Sequence, residues 1–190
     1  QKLSEIRKKT AKVFSERVRE EMSFLNMPNV QIVTQFENTD FYEKGTDKIE
    51  FLISANPGEP PRPVAKIASG GELSRMMLAI KTVLASTDDI DTLIFDEVDT
   101  GISGSAAQKV GMKLKEVSKS SQVLCVTHQA QLAALADAHY LISKQVEDGR
   151  TFTQVKLLDF DGRKHELARI IGGVSITDAA LAHAESMLKE

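Results

Sequence analysis

An α/β fold, with a mainly parallel sheet flanked by helices and antiparallel hairpins at its margins, is what the 190-residue sequence predicts. Three observations carry that expectation. Helical and strand-like patterns alternate from residue 72 to 136. The short runs between the helices, "TLIF" and "QVLCV", are apolar on both faces, as parallel strands covered by helices are. Runs of strict apolar alternation lie before that block, and a second hairpin pattern follows it.

Taken in order, residues 1–25 place Leu3, Ile6, Phe14, Val18, Met22 and Leu25 at three-, four- and eight-residue steps between charges, which predicts one amphipathic helix. No seam of several heptads is present, so a coiled coil is at most a stub here. Its first twenty residues hold seven Lys and Arg against three Glu, a net +4 that suits either a solvated helix face or a contact to DNA phosphate. Next, Val30, Ile32, Thr34 and Phe36 share one face of a run, and Ile49, Phe51 and Ile53 one face of another. Joined by "NTDFYEKGTD", they predict an antiparallel pair. "NPGEPPRP" breaks the chain. Beyond it the sequence predicts helix 72–86, strand 92–96, helix 104–118, strand 122–127 and helix 129–136. Strands near 139–146 and 151–158 follow, turned by Asp148-Gly149. A helix through "HELARII" stops at Gly172-Gly173, and a last helix follows "SITD", with Ser175 and Asp178 spaced as a capping box.

Composition narrows the class. Hydrophobic residues at 42% and charged residues at 27% are ordinary for a globular domain, and a net charge of −3 leaves the whole chain without a strong electrostatic footprint for nucleic acid or anionic lipid. No apolar run approaches the roughly 18 residues of a membrane span, and the start has no signal-peptide core, which predicts a cytoplasmic protein. The one cysteine, Cys125, lies in an apolar run and predicts a buried strand thiol. The chain opens on Gln1 rather than Met, as a fragment would.

Three sites could carry chemistry. In "ASGGELSR", Ser69 and Glu72 have capping-box spacing, yet Gly70 and Gly71 between them each cost about 1 kcal/mol relative to Ala in a helix. Glycine is used where backbone must approach another group, and a helix N-terminus offers free N–H groups to an anion. In "DTLIFDEVDTG" a short apolar strand delivers Asp96 and Glu97 to its carboxyl end, where open α/β sheets bind ligands. Adjacent acids repel, so a cation would stabilise them. Asp96 then suits Mg²⁺ beside a nucleotide and Glu97 the activation of water; a solvated turn is the other account. In "VLCVTHQAQ" a second apolar strand ends on Thr127-His128, which puts His128 on the same edge of the expected sheet; His139, His165 and His183 suit structural roles. No Cys/His set has metal-ligand spacing, and no Gly-x-Ser-x-Gly elbow occurs.

In this order the three stretches resemble the C-terminal half of an ABC-type ATPase head: signature motif, Walker B strand, D-loop and switch histidine. "GGELSRMMLAIKTVLA", "DEVDTGISG", "VLCVTHQAQLAALADAHYLI" and "ELARIIGG" are similar to the heads of bacterial SMC-like DNA repair proteins rather than to transporters, where a Pro usually follows the catalytic Glu. The resemblance implies that Ser69, Gly70, Gly71 and Glu72 face the γ-phosphate of ATP bound by a partner head. It implies Mg²⁺ on Asp96, catalysis by Glu97 and His128, and Asp99 in a loop crossing a homodimer interface. It further implies a nucleoid-associated role in repair and recombination of DNA double-strand breaks, with no membrane partner. Two departures stand out. Ile67-Ala68 precede Ser69 where the signature usually has Leu, and no G-x-x-x-x-G-K-[ST] occurs anywhere. The missing loop implies a partner segment, the N-terminal half of the same head with its Walker A motif, and an isolated chain without ATPase activity. On this view residues 1–25 are the returning end of a coiled coil and 26–190 the C-terminal part of the head. The latter divides into a hairpin region (26–63), an α/β core (64–138) and a hairpin with terminal helices (139–190). A non-enzymatic DNA-binding module and a head of another ABC branch remain open on sequence alone.

Overall fold

The structure is a computed structural model that describes residues 1–54, 58–66, 69–85, 87–147, 149–173 and 175–189. Three sequence features fall outside the described residues: Asn56-Pro57 of the expected chain break, the departure at Ile67-Ala68, and Asp148 of the second hairpin turn. The chain divides into two compact units, Gln1–Gly101 with Glu116–Val126, and Ile102–Lys115 with Thr127–Glu190.

The first unit starts with helix α1 (Lys2–Phe24), whose apolar positions Val18 and Met22 are buried. It ends in a Schellman arrangement: Asn26 takes φ 66°, the Met27 N–H donates to Met22 O at 2.9 Å and the Asn26 N–H to Ser23 O at 3.2 Å. Strands β1 (Gln31–Tyr42) and β2 (Gly45–Ser54) pair antiparallel with Ile32 opposite Ile53, Thr34 opposite Phe51 and Phe36 opposite Ile49, the face predicted from alternation. The expected connecting loop is shorter than the sequence suggested. Pairing runs on, past an irregularity after Asn38, to Tyr42 opposite Gly45, because Gly45 at φ 104° allows a two-residue turn. Helix α1 packs on this hairpin through Phe14 and Phe51, ring centroids 5.4 Å apart. Near its start Asp47, 3% exposed, accepts hydrogen bonds from Ser4 Oγ at 2.6 Å and Arg7 Nη1 at 3.1 Å. A short β3 (Arg62–Pro63) adds to β2, and a single 3-10 turn (Val64–Lys66) leads toward helix α2 (Gly70–Leu84), which packs against α1.

Strands β4 (Thr92–Phe95) and β5 (Gln122–Cys125) pair in parallel, Ile94 opposite Leu124 and Phe95 opposite Cys125. The expectation of cover on both faces is corrected. Ile94 is 71% exposed, Leu124 45% and Val126 53%, since among the described residues the sheet has two strands and nothing lies over that side. Helix α3 (Ser105–Val117) links the two units along the chain.

In the second unit, α3 meets α4 (Ala130–Ala134) at Gly111, where a Cβ would stand 2.6 Å from Leu135 Cδ1. Strands β6 (Tyr140–Glu147) and β7 (Arg150–Leu157) form the predicted hairpin. Helices α5 (Phe160–Gly172) and α6 (Asp178–Lys189) share a core with α4 made of Ala130, Ala133, Leu167, Ala168, Ala180 and Ala184. Arg163 Nη2 closes the open end of α4 by donating to the carbonyls of Ala133, Ala134 and Ala136 at 3.3, 3.1 and 2.8 Å. Gly173, at φ 68°, ends α5 as predicted. The cap of α6 differs from the expectation: Thr177 Oγ1, not Ser175, accepts from the Ala180 N–H at 3.2 Å.

Candidate functional site

Within the first unit, the start of α2 and the loop after β4 meet. Ser69 is the N-cap in extended backbone, φ −98° and ψ 119°, and its Oγ accepts from the Glu72 N–H at 3.4 Å, a long bond. Gly70 and Gly71 open the helix. A Cβ on Gly70 would stand 2.2 Å from Glu97 Oε2, and one on Gly71 would meet Thr100 O at 2.9 Å, Thr100 Cβ at 3.0 Å and Glu97 O at 3.1 Å. The two glycines therefore have a cause inside the chain itself: they admit the acid-bearing loop to the first turn of the helix.

That loop leaves β4 at its carboxyl end. Asp96 and Glu97 are exposed, and Asp96 Oδ1 accepts from the Glu97 N–H at 2.9 Å. This backbone bond turns the Asp96 carboxylate toward the start of the next peptide and leaves both acids open to solvent. Glu97 has φ 57°, a left-handed conformation that costs a residue with a Cβ about 1–2 kcal/mol. Asp99, two residues on, is buried at 1% exposure. Beside it on β5, Cys125 has its thiol pushed up to about 12, first by burial and then by the negative charges of Asp99 and Asp96. The cysteine expected to be a buried strand thiol does lie on a strand, but it is only partly buried.

The loop is held from α2 by side chains that sequence reasoning missed. Ser74 Oγ donates to Asp96 O at 2.6 Å, and Arg75 Nη1 donates to Val98 O at 3.3 Å and Thr100 O at 2.8 Å. A signal for Arg75 was available. Gly71, Arg75, Leu78 and Ala79 lie on one helical face, and an arginine among core positions must find acceptors.

His128 belongs to the second unit, as an exposed residue between the end of β5 and α4. Thr127 Oγ1 accepts from the Gln129 N–H at 3.0 Å, closing a local turn around His128, and Gln129 Nε2 donates to Ile102 O at 3.0 Å, which ties that turn to the loop before α3. Among the other histidines, His139 has its pKa lowered by burial and by the Arg163 charge, against an opposing pull from Glu166, and its Nδ1 is buried without a hydrogen-bond partner among the described residues. His165 Nδ1 lies 2.8 Å from Asp161 O. Among the described residues no group of three His, Cys, Asp or Glu gathers as a metal site. Asp96 fits Mg²⁺ only as one ligand of a composite site, since that ion is commonly held by one or two carboxylates together with substrate phosphates and water.

Comparison with known proteins defines the class. The Smc head domain with coiled coil and joint from Pyrococcus yayanosii superposes with a TM-score of 0.61 at 20% identity, covering 90% of this chain and 30% of that one. The fold is that of an α/β part of an Smc head domain. No family model matches the chain. The DNA repair protein RecN of Bacillus subtilis (strain 168) is 43% identical over 204 residues, and that of Xylella fastidiosa (strain Temecula1) 45% identical over 193; these alignments cover 99% and 100% of this chain. Over its own length the chain belongs to the RecN family, and it spans about a third of those relatives, 35% of each.

Proposed function

We propose that this chain is one part of an SMC-like ATPase head that binds and hydrolyses ATP where two heads meet, and so controls how the parent protein holds DNA during double-strand break repair. The observation that supports this most is the delivery of exposed Asp96 and Glu97 by parallel strand β4 to a point against the glycine turn of α2. Glu97 is the general base that takes a proton from the attacking water, and Asp96 supplies the protein ligand to Mg²⁺. When bound, Mg²⁺ neutralises charge developing on the phosphates. His128 is assigned to the γ-phosphate side of the same nucleotide, and Asp99 to the loop between heads. Ser69 and the amides of Gly70 and Gly71 serve the nucleotide of the opposite head, where a helix N-terminus favours an anion.

The chain has no phosphate-cradling loop, so the reading requires the N-terminal half of the head. The uncovered side of β4 and β5, with Ile94, Leu124 and Val126 exposed, supports pairing with a further segment. In the intact parent protein, Glu97→Gln should retain ATP binding while turnover falls by about 10²–10⁴-fold, the usual contribution of a general base. Unchanged turnover removes Glu97 from the role. The 190-residue chain alone should hydrolyse no ATP, and steady-state turnover above background would contradict the division into halves.

A further inference from the structure

Helix α2 and the acid-bearing loop are joined by bonds that the proposed chemistry leaves unused. Arg75 is 6% exposed, and its guanidinium reaches two main-chain carbonyls more than twenty residues away, Val98 O at 3.3 Å and Thr100 O at 2.8 Å. Burial lowers the pKa of this group, and the carboxylates of Glu72 and Asp99 oppose that shift. Its Nε is buried without a hydrogen-bond partner among the described residues, so the two carbonyl bonds and those two acids are what offset the desolvation of the charge. Ser74, in the same turn, holds Asp96 O at 2.6 Å. The three acceptors alternate along the loop. Glu97 lies between the held carbonyls of Asp96 and Val98, and Asp99 between those of Val98 and Thr100, so the peptide that leads into each acid is held directly from α2.

We infer, on the basis of the ATPase reading above, that Arg75 is a positioning residue: by holding Val98 O and Thr100 O it fixes where Glu97 and Asp99 stand relative to the first turn of α2. The close approaches at Gly70 and Gly71 give the tie its consequence. With Glu97 Oε2 against Gly70 and the Thr100 carbonyl against Gly71, the loop cannot shift along α2 without breaking the Arg75 bonds, and the turn cannot take a new ligand without moving Glu97. Arg75 thus links the residues assigned to one nucleotide with those assigned to the other. A guanidinium suits this work because one rigid planar group serves two acceptors at once.

The test uses the intact parent protein with Arg75→Met, which keeps the stem and removes every donor, Arg75→Lys, which keeps the charge and three donors, and Ser74→Ala. Arg75→Met should lower kcat about tenfold or more, with the KM for ATP changed by less than about twofold. Arg75→Lys should recover part of the loss, and Ser74→Ala should show a smaller loss in the same direction. In the 190-residue chain, hydrogen exchange at the Thr100 amide, which donates to Glu97 O at 3.0 Å, should quicken about tenfold in Arg75→Met while α1 is unaffected. Unaltered kcat in Arg75→Met overturns the inference. So does a parallel fall in kcat, ATP affinity and melting temperature that Arg75→Lys does not relieve. If Arg75→Met fails to fold, wild-type kcat in both Arg75→Lys and Ser74→Ala overturns it. Absence of turnover in the unaltered parent instead overturns the ATPase reading itself, and is told apart from normal turnover in the variants.

Discussion

The adjacent glycines at the start of α2 should respond in opposite ways to the same substitution. Alanine gains up to about 1 kcal/mol over glycine in a helix, and this applies at both positions, though less in a first turn. What differs is the neighbour each new methyl meets. At Gly70 it is Glu97 Oε2, 2.2 Å away, the far end of a flexible and exposed side chain that can swing into water. At Gly71 it is main chain, Thr100 O at 2.9 Å and Glu97 O at 3.1 Å, in a loop held by Arg75 and Ser74. Forcing such a contact costs about 1–3 kcal/mol, so after the helical gain Gly71→Ala should lose about 1–2 kcal/mol while Gly70→Ala is neutral or stabilising. For a chain of this size that is a fall of about 2–8 °C in the melting temperature of Gly71→Ala, read by circular dichroism on the 190-residue protein. Equal melting temperatures for the two variants would show that the loop does not press on the helix, and the account of both glycines would fail.

Two further outcomes are expected. Asp47 has its pKa lowered from 3.8, first by the Ser4 hydroxyl and then by Arg7 and Lys8 against the effect of burial. A depressed folded-state value adds stability that is complete above the unfolded pKa and is lost as pH falls through the folded one. Asp47→Asn should therefore flatten the acid limb of the stability profile below about pH 4, and melting curves that keep the wild-type slope there would count against the latch between α1 and the hairpin. Cys125, with its thiol raised to about 12, should react with iodoacetamide at pH 8 far more slowly in the native chain than after unfolding, and equal rates would place it outside the packed strand.

Much of the fold was legible because its segments bury one face at a time. The period of α1, the alternation of β1 and β2 and the doubly apolar β4 and β5 each indicated an element that is present. What escaped depended on partners distant in sequence or on single hydrogen bonds. Tyr42 and Gly45 read as loop, yet they pair, since a positive φ at one glycine suffices to extend the ladder. Thr177 and Ser175 offer similar capping chemistry two residues apart, and local spacing does not separate them. The cover expected on both faces of β4 was inferred from its own side chains, which report what a strand prefers and not whether another element is there to meet it. At the candidate site the residues that bear reactive groups stood out by type and spacing. Arg75 and Ser74 did not, because their acceptors are peptide carbonyls, which every residue has and no letter marks.

Glu97, the general base proposed above, shows how an assigned chemical role and conformational ease can pull apart at one position. Its backbone occupies a region where glycine would sit without penalty and asparagine with little. Selection for folding alone would favour replacing it, and a chain with glycine there should unfold less readily while lacking the carboxylate. The left-handed turn is also what bends the chain back toward α2 after β4, so the group with the most chemistry in the segment sits on its least relaxed peptide, and a more stable protein and a more capable one are different sequences.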